Sequence, residues 1–225
     1  RNNIFILNSS SAVAISYFQQ QSNVNKMFNN LAVIDFGGGN IDLSIFSISK
    51  YNFKVKTVEG DLYLGGNDID QLIYQWFKNK CREEFYIYSN EFSVSDNLKL
   101  IQLCKRAKEQ LTFQSETSIT FDIHDKNISM NLTREEFNFI CSPLINRVEE
   151  LITKMLSSAY INSQDVDGIL LVGGSSIIPI FQEKIHNIFG KEKILNFDEI
   201  RDSNGMGACY LAAMKKGFLS NQYQK

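Results

Sequence analysis

Glycine in this 225-residue chain is concentrated in three clusters, and this clustering limits the possible folds more than any other feature. Seven of the 13 glycines lie at positions 37–39, 65–66 and 173–174. Uninterrupted apolar runs at 31–34 and 169–172 lead into the first and third clusters. Such runs are typical of strands buried on both faces. The pattern predicts an α/β fold in which two core strands end in glycine loops, where open α/β sheets bind ligands.

The chemistry of such loops follows from the missing side chains. Glycine lets backbone N–H groups approach an anion and tolerates positive φ angles, so three clusters in one core indicate a phosphate cradle. Asp35, at the end of the first core strand, is placed to hold Mg²⁺ directly or through water. A set of ordinary tight turns explains the same residues and stays an alternative. Neither the Walker A spacing nor G-x-G-x-x-G occurs, so a P-loop or Rossmann site is not indicated.

Composition excludes several classes of protein. Apolar residues make up 44% of the chain and aromatic residues 12%, which favours a folded core over disorder. The formal net charge of −2 argues against a protein that binds nucleic acid through phosphate contacts. The sequence contains no run of 18 apolar residues, so it predicts no transmembrane helix. The chain starts at Arg1 without Met or a signal-peptide pattern, so we expect a fragment of a longer, cytoplasmic protein.

The cysteines and histidines do not form a metal-binding or disulfide pattern. The four cysteines are widely spaced and lack a C-x-x-C pair, so we predict reduced, mostly buried thiols. They are Cys81, Cys104, Cys141 and Cys209. His124 lies in a predicted turn and His186 on a predicted helix, too far apart in sequence for a local metal motif.

Hydrophobic periodicity predicts alternating strands and helices at both ends of the chain and a helix-rich middle. Strands are predicted at residues 4–7, 31–34, 41–45, 53–58, 118–123, 128–132 and 168–172. Helices are predicted at 12–17, 68–82, 98–111, 179–188 and 208–212, with a loop at 81–95. Thr133 and Glu136 form a capping-box pattern ahead of another helix. Pro143 predicts the start of a separate helix, because proline fits the first helical turn.

Three motifs together resemble the 70-kilodalton heat-shock chaperone family. They are D-F-G-G-G-N-I-D-L-S at 35–44, G-D-L-Y-L-G-G-N-D-I-D at 60–70 and L-V-G-G-S-S-I-I-P at 171–179. The resemblance covers nearly the whole chain and matches the second lobe of the family's ATPase domain. It implies an actin-like ATPase (ribonuclease H-like) α/β core with a helical α+β insert. The implied parts are the end of the first lobe at 1–24, the second-lobe core at 25–64 and 142–225, and the insert at 65–141.

The resemblance also implies a site for ATP or ADP with Mg²⁺. Asp35 matches the residue that orients the metal and its waters, and Asn40 takes the catalytic position after the glycine triplet. The implied phosphate loop consists of Gly37, Gly38 and Gly39. Gly66 matches a glycine near the ribose, and Lys108 a lysine that contacts the nucleoside. Gly173, Gly174 and Ser175 match the loop for adenosine and the α-phosphate, and Asp198 an acidic residue near the adenosine.

Several residues depart from the family pattern. Asn40 replaces a threonine, and Asn-Ser-Ser-Ser at 8–11 replaces Asn-Glu-Pro-Thr, which removes a carboxylate and a proline. On the adenine side, Lys105 replaces an acidic residue, Glu109 a basic one and Ile177 an arginine. These changes favour retained phosphate binding with weak adenosine binding.

The implied function is the nucleotide-binding lobe of a chaperone that couples ATP binding and hydrolysis to protein folding. Its implied partners are J-domain cochaperones and nucleotide-exchange factors, the latter on the insert. Because the first lobe lies outside these residues, we predict negligible hydrolysis by this chain alone. A degenerate chaperone-like or exchange-factor-like binding module with a decayed adenosine site is the alternative. A sugar kinase or actin-like filament protein fits the motifs less well.

Overall fold

The computed structural model describes residues 4, 6–20, 28–49, 52–196 and 202–218. Within these residues, six helices and six strands form. The helices are α1 (Ser9–Gln20), α2 (Gly66–Phe85), α3 (Val94–Phe113), α4 (Arg134–Ser158), α5 (Pro179–Phe189) and α6 (Ser203–Lys215). The strands are β1 (Asn30–Phe36), β2 (Ile41–Ser49), β3 (Asn52–Asp61), β4 (Glu116–Ile123), β5 (Lys126–Thr133) and β6 (Gly168–Val172).

The central sheet has the strand order β3-β2-β1-β6. β1 is antiparallel to β2 and parallel to β6, with Asp35 opposite Val172 at the end of the parallel pair. The two strands predicted to be buried on both faces are therefore neighbours, and their glycine loops leave the same edge of the sheet. The prediction of an α/β protein is confirmed.

Both faces of β1 are covered, which explains its uninterrupted apolar sequence. Leu31 and Val33 pack in one cluster with Val13 of α1. Ala32 and Ile34 belong to the larger cluster on the opposite face. This second core continues into residues 66–133, where α2 and α3 pack on the two-stranded sheet β4-β5. Side chains of β4 alternate between exposed and buried, as in a strand with one solvent face.

The strand predicted at 4–7 is wrong. Ile4 and Ile6 are 81% and 99% exposed, and the described residues 4, 6 and 7 have no strand conformation. An apolar run forms a strand only where a neighbouring strand accepts its hydrogen bonds. The predicted helix that follows is confirmed, and Asn8 caps it. Asn8 Oδ1 accepts from the Ser11 N–H at 2.8 Å, satisfying a donor of the first turn.

The helix start predicted at Pro143 is also wrong, because Pro143 lies inside the continuous 25-residue helix α4. Proline removes the N–H that would bond to the carbonyl four residues earlier, here that of Phe139. The Ser142 hydroxyl donates to that Phe139 oxygen at 2.8 Å. A local side chain therefore replaces the lost backbone donor, and α4 continues.

The loop predicted at 81–95 is only partly present. α2 continues to Phe85 and ends at Tyr86, which has a left-handed φ of 57°. A short 3₁₀ turn over Ser89–Glu91 precedes α3. The sequence offers no glycine at the end of α2, so the usual stop signal is missing.

Three of the four cysteines are buried, as predicted, and only Cys209 on α6 is exposed. Burial raises the pKa of Cys81 to about 11. It raises the pKa values of Cys104 and Cys141 to about 12. Across the described ranges, no helix is long and apolar enough to cross a bilayer.

Candidate functional site

The first two glycine clusters are joined by backbone hydrogen bonds. The β1-β2 hairpin is closed by the Gly37 N–H, which donates to Asn40 O at 3.0 Å. The Gly66 N–H at the start of α2 donates to Gly37 O at 3.0 Å, and the Asn67 N–H donates to Gly38 O at 2.7 Å. The hairpin carbonyls thus satisfy the first two N–H groups of α2.

The third cluster contacts the same carbonyl, through the serine that follows its two glycines. Ser175 Oγ donates to Gly37 O at 2.8 Å, so one carbonyl oxygen accepts from both of the other clusters. Gly173 has a φ of 85°, and a Cβ there would lie 2.4 Å from Phe36 O. Only glycine fits at this position. The three clusters therefore meet in one region, with Gly37 at its centre.

Because of the directions of these bonds, two backbone N–H groups of the hairpin point away from α2. In a trans peptide, the N–H of one residue points opposite to the carbonyl of the residue before it. No described peptide bond is cis. Because the carbonyls of Gly37 and Gly38 are turned towards α2, the N–H groups of Gly38 and Gly39 point away from it. Neither N–H has a backbone acceptor among the described residues.

Three glycines of the clusters are not required by the protein's own packing. A Cβ at Gly39 or Gly174 would have no atom within 4 Å, and one at Gly38 would have only Asn67 Oδ1, at 3.7 Å. None of the three has a left-handed φ angle, so the expected need for positive φ applies only to Gly173. The space beside the α-carbons of these three glycines is therefore open. These residues fit a phosphate group that approaches the backbone closely.

Asp35 lies beside this region at the end of β1. Its carboxylate accepts from Ser9 Oγ at 3.2 Å, and its register partner across the hairpin is Asp42. Burial raises the pKa of Asp35, the Ser9 bond lowers it, the charge of Asp42 raises it and a hydrogen bond from Asn204 lowers it. The net direction is upward, because burial dominates. The described residues contain no ion pair to either carboxylate.

The two carboxylates form a pair that suits Mg²⁺. This ion is usually bound by one or two carboxylates together with phosphate oxygens and waters. Nowhere in the described ranges do three or more His, Cys, Asp or Glu side chains form a group able to hold a metal. The residues present therefore fit an ion that takes its other ligands from a phosphate and from water.

The side-chain amide of Asn40 is already hydrogen-bonded within the hairpin. Its Nδ2 donates to Asp42 Oδ2 at 2.7 Å, which orients that carboxylate. Sequence reasoning missed Asp42, Asn204 and Asn67, and it did not predict the hydrogen bond from Ser9 to Asp35. For Asp42 a signal was available. A four-residue turn at 37–40 places residues 35 and 42 opposite each other.

Lys108 of α3 is brought to the same region and is 9% exposed. Its Nζ donates to Gly66 O at 2.8 Å and lies 2.7 Å from Asp70 Oδ1. Ile177, which follows Ser175 in a 3₁₀ turn, is exposed, as are Lys105 and Glu109 on α3. Asp198 lies outside the described residues. The predicted residues that the structure brings together are thus Asp35, Asn40, Gly37, Gly38, Gly39, Gly66, Lys108, Gly173, Gly174 and Ser175.

The fold and the site define a class: an α/β protein with free backbone donors and a carboxylate pair at the edge of its sheet. The family model described as Hsp70 protein matches residues 2–222. The chaperone protein dnaK of Gracilaria tenuistipitata var. liui is 30% identical in an alignment of 203 residues that covers 87% of this chain and 32% of that protein. The chain belongs to the Hsp70 family, which has the actin-like ATPase fold. It spans about a third of the length of this relative.

Proposed function

We propose that this chain is the second lobe of the ATPase domain of a divergent Hsp70 chaperone and binds ATP or ADP with Mg²⁺. In this proposal the central sheet is a ribonuclease H-like core, formed by 25–64 and 142–225. Residues 65–141 are the insert, and 1–24 are the end of the first lobe. The whole protein would couple nucleotide binding and hydrolysis to protein folding.

The observation that carries the proposal is the open space at Gly38, Gly39 and Gly174. Their lack of side chains serves no contact within the described protein. Beside that space, the N–H groups of Gly38 and Gly39 have no described backbone acceptor. Bare N–H groups in a concave backbone are a general way to bind phosphate oxygens. A tight turn alone explains Gly173 but not these three residues.

Each residue then has a task in nucleotide binding. Gly38 and Gly39 donate to the terminal phosphates, and Gly173, Gly174 and Ser175 line the adenosine and α-phosphate side. Asp35, with Asp42 opposite and Asn40 orienting Asp42, holds the metal directly or through water. When bound, Mg²⁺ neutralises phosphate charge.

Hydrolysis requires more than these residues. Stabilising the charge on a transferring phosphoryl group needs preoriented donors on several sides of it. In the family, the facing donors and a lysine that assists hydrolysis belong to the first lobe. We therefore expect the 225 residues alone to bind nucleotide with negligible turnover.

Calorimetry with Mg-ADP tests the proposal. We expect the chain to bind and Gly38→Val to abolish binding, because the valine fills the open space and blocks the N–H groups. The matched control is Gly205→Ala on α6, where a Cβ has no neighbour within 4 Å. No binding up to millimolar ADP, both by this chain and by a longer one that includes the first lobe, would contradict the proposal. Turnover that Gly38→Val removes would contradict the expected lack of hydrolysis.

A second candidate is a binding module that has lost its adenosine site. It is favoured by Lys105, Glu109 and Ile177, which are exposed and depart from the family pattern. Equal affinity for inorganic pyrophosphate and ADP would favour this candidate, because the nucleoside would then contribute nothing. In either case, nucleotide-exchange factors on the insert and J-domain cochaperones are the partners that we propose for the whole protein.

A further inference from the structure

Lys108 places a buried ammonium group beside the point where the glycine clusters meet. Its Nζ donates to Gly66 O at 2.8 Å. A Cβ at Gly66 would lie 3.0 Å from Lys108 Nζ, 2.6 Å from Ser175 Oγ and 3.6 Å from Gly37 O. A side chain at Gly66 would therefore press against the ammonium and against the two other loops.

Asp70 fixes this ammonium in place. It lies one helical turn after Gly66 on α2, so both residues are on the same face of the helix. Asp70 Oδ1 lies 2.7 Å from Lys108 Nζ, and the two side chains are 6% and 11% exposed. Burial raises the pKa of Asp70, and Lys108 is the partner that lowers it most; on α3, Lys105 also lowers it and Glu109 raises it.

One donor of the ammonium is left over. A lysine ammonium has three N–H groups, of which one donates to Gly66 O, while Asp70 Oδ1 lies 2.7 Å from Nζ as an ion-pair partner. Within the described part of the chain, no third acceptor contacts it. The remaining N–H is available to an oxygen of a ligand at the glycine loops.

We propose that Asp70 is a positioning residue for nucleotide binding, which holds the Lys108 ammonium against Gly66 so that its third N–H meets an oxygen of a bound nucleoside diphosphate. This inference rests on the proposed function. Asp70 does not touch the ligand. It acts by holding the Lys108 ammonium in register with Gly66. Without Asp70, the buried ammonium loses its counter-charge and its fixed position.

The test is a double-mutant cycle on Mg-ADP affinity, measured by calorimetry. We expect Asp70→Asn and Lys108→Met each to weaken binding at least about tenfold. We expect the double variant to be within about twofold of Lys108→Met, because Asp70 acts only through Lys108. The control is Lys78→Met. Lys78 is a second buried lysine between α2 and α3, and it bonds Tyr74 Oη at 2.9 Å and Asn97 Oδ1 at 3.2 Å.

The outcomes distinguish the positioning role of Asp70 from the proposed binding of nucleotide. Unchanged or tighter binding by Asp70→Asn, additive losses in the double variant, or an equal loss in Lys78→Met overturns the positioning role while leaving nucleotide binding intact. No Mg-ADP binding by the unaltered chain overturns the proposed function and this inference together. If a variant fails to fold, NMR of the unaltered chain provides the test instead. Mg-ADP is then expected to shift the Lys108 Cε resonance and not that of Lys78, and an unmoved Lys108 signal overturns the role.

Discussion

Asp35 and Asp42 are direct cross-strand partners at the end of the β1-β2 hairpin. Two carboxylates that face each other raise the cost of ionising both. Ser9, at the start of α1, compensates in part by donating to Asp35. The hairpin thus combines an acidic pair with the free N–H donors of Gly38 and Gly39.

Substitutions around Asp35 should move its pKa in opposite directions. Ser9→Ala removes a donor to the carboxylate and should raise the pKa of Asp35 further, whereas Asp42→Asn removes a like charge and should lower it. NMR titration of the Asp35 carboxyl carbon without Mg²⁺ measures both. Asp125→Asn, in the exposed β4-β5 turn, is the control. Shifts in the same direction for Ser9→Ala and Asp42→Asn would contradict this account.

The same raised pKa has a consequence for stability. Because the pKa of folded Asp35 lies above that of an unfolded aspartate, its protonated form stabilises the fold at acid pH. That contribution is fully present below the unfolded pKa of about 3.9 and is lost as the pH rises through the raised value. As the pH rises from acid to neutral, the free energy of unfolding of Asp35→Asn should therefore increase relative to that of the unaltered chain. Urea unfolding at each pH measures this difference. A constant difference across this range would refute it.

Gly65 and Gly39 should respond differently to alanine. A Cβ at Gly65 would lie 2.5 Å from Gly38 O, so Gly65→Ala should lower the free energy of unfolding by about 2–3 kcal/mol. A Cβ at Gly39 meets nothing within 4 Å, so Gly39→Ala should leave the fold unchanged and weaken Mg-ADP binding. Thermal melting and calorimetry measure the two effects. Equal melting temperatures for both variants would show that the hairpin and α2 are not closely packed.

Gly207 is the contact point between α6 and α1. A Cβ there would lie 1.9 Å from Ala12 O, so Gly207→Ala should destabilise the chain by about 3 kcal/mol. For a chain of this size, each kcal/mol corresponds to about 2–4 °C in melting temperature. Gly205→Ala on the same helix is the control and should be neutral or stabilising by up to about 1 kcal/mol. A neutral Gly207→Ala would mean that the two helices do not approach this closely.

Pro143→Ala should stabilise the chain. The substitution restores an N–H donor for Phe139 O, and proline inside a helix costs about 3 kcal/mol relative to alanine. Ser142 already satisfies this carbonyl, and proline restricts the unfolded chain, so we expect a net gain of about 1 kcal/mol in urea unfolding. Pro179→Ala is the control, because Pro179 lies at the first position of α5. A loss of stability in Pro143→Ala would show that α4 needs the proline.

Local patterns predicted much of the fold and part of the site. The apolar runs before Gly37 and Gly173 identified β1 and β6, since a strand covered on both faces has no polar alternation. The bond from Ser175 to Gly37 joins residues 138 positions apart, so no local pattern contains it. The ion pair of Asp70 with Lys108 likewise depends on how α2 meets α3. Pro143 was misread because its effect depends on the hydroxyl rotamer of Ser142.

Because three of the four cysteines are buried, a single fluorescent label can be attached at the fourth. Thiol reagents attack the thiolate, and the raised pKa values keep Cys81, Cys104 and Cys141 protonated and unreactive at neutral pH. A maleimide dye should therefore attach to the exposed Cys209 without any engineering of the other thiols. Cys209 lies on the same helix as Asn204, whose amide bonds the Asp35 carboxylate. Fluorescence from this one position would then test whether metal and nucleotide bind in solution, as proposed.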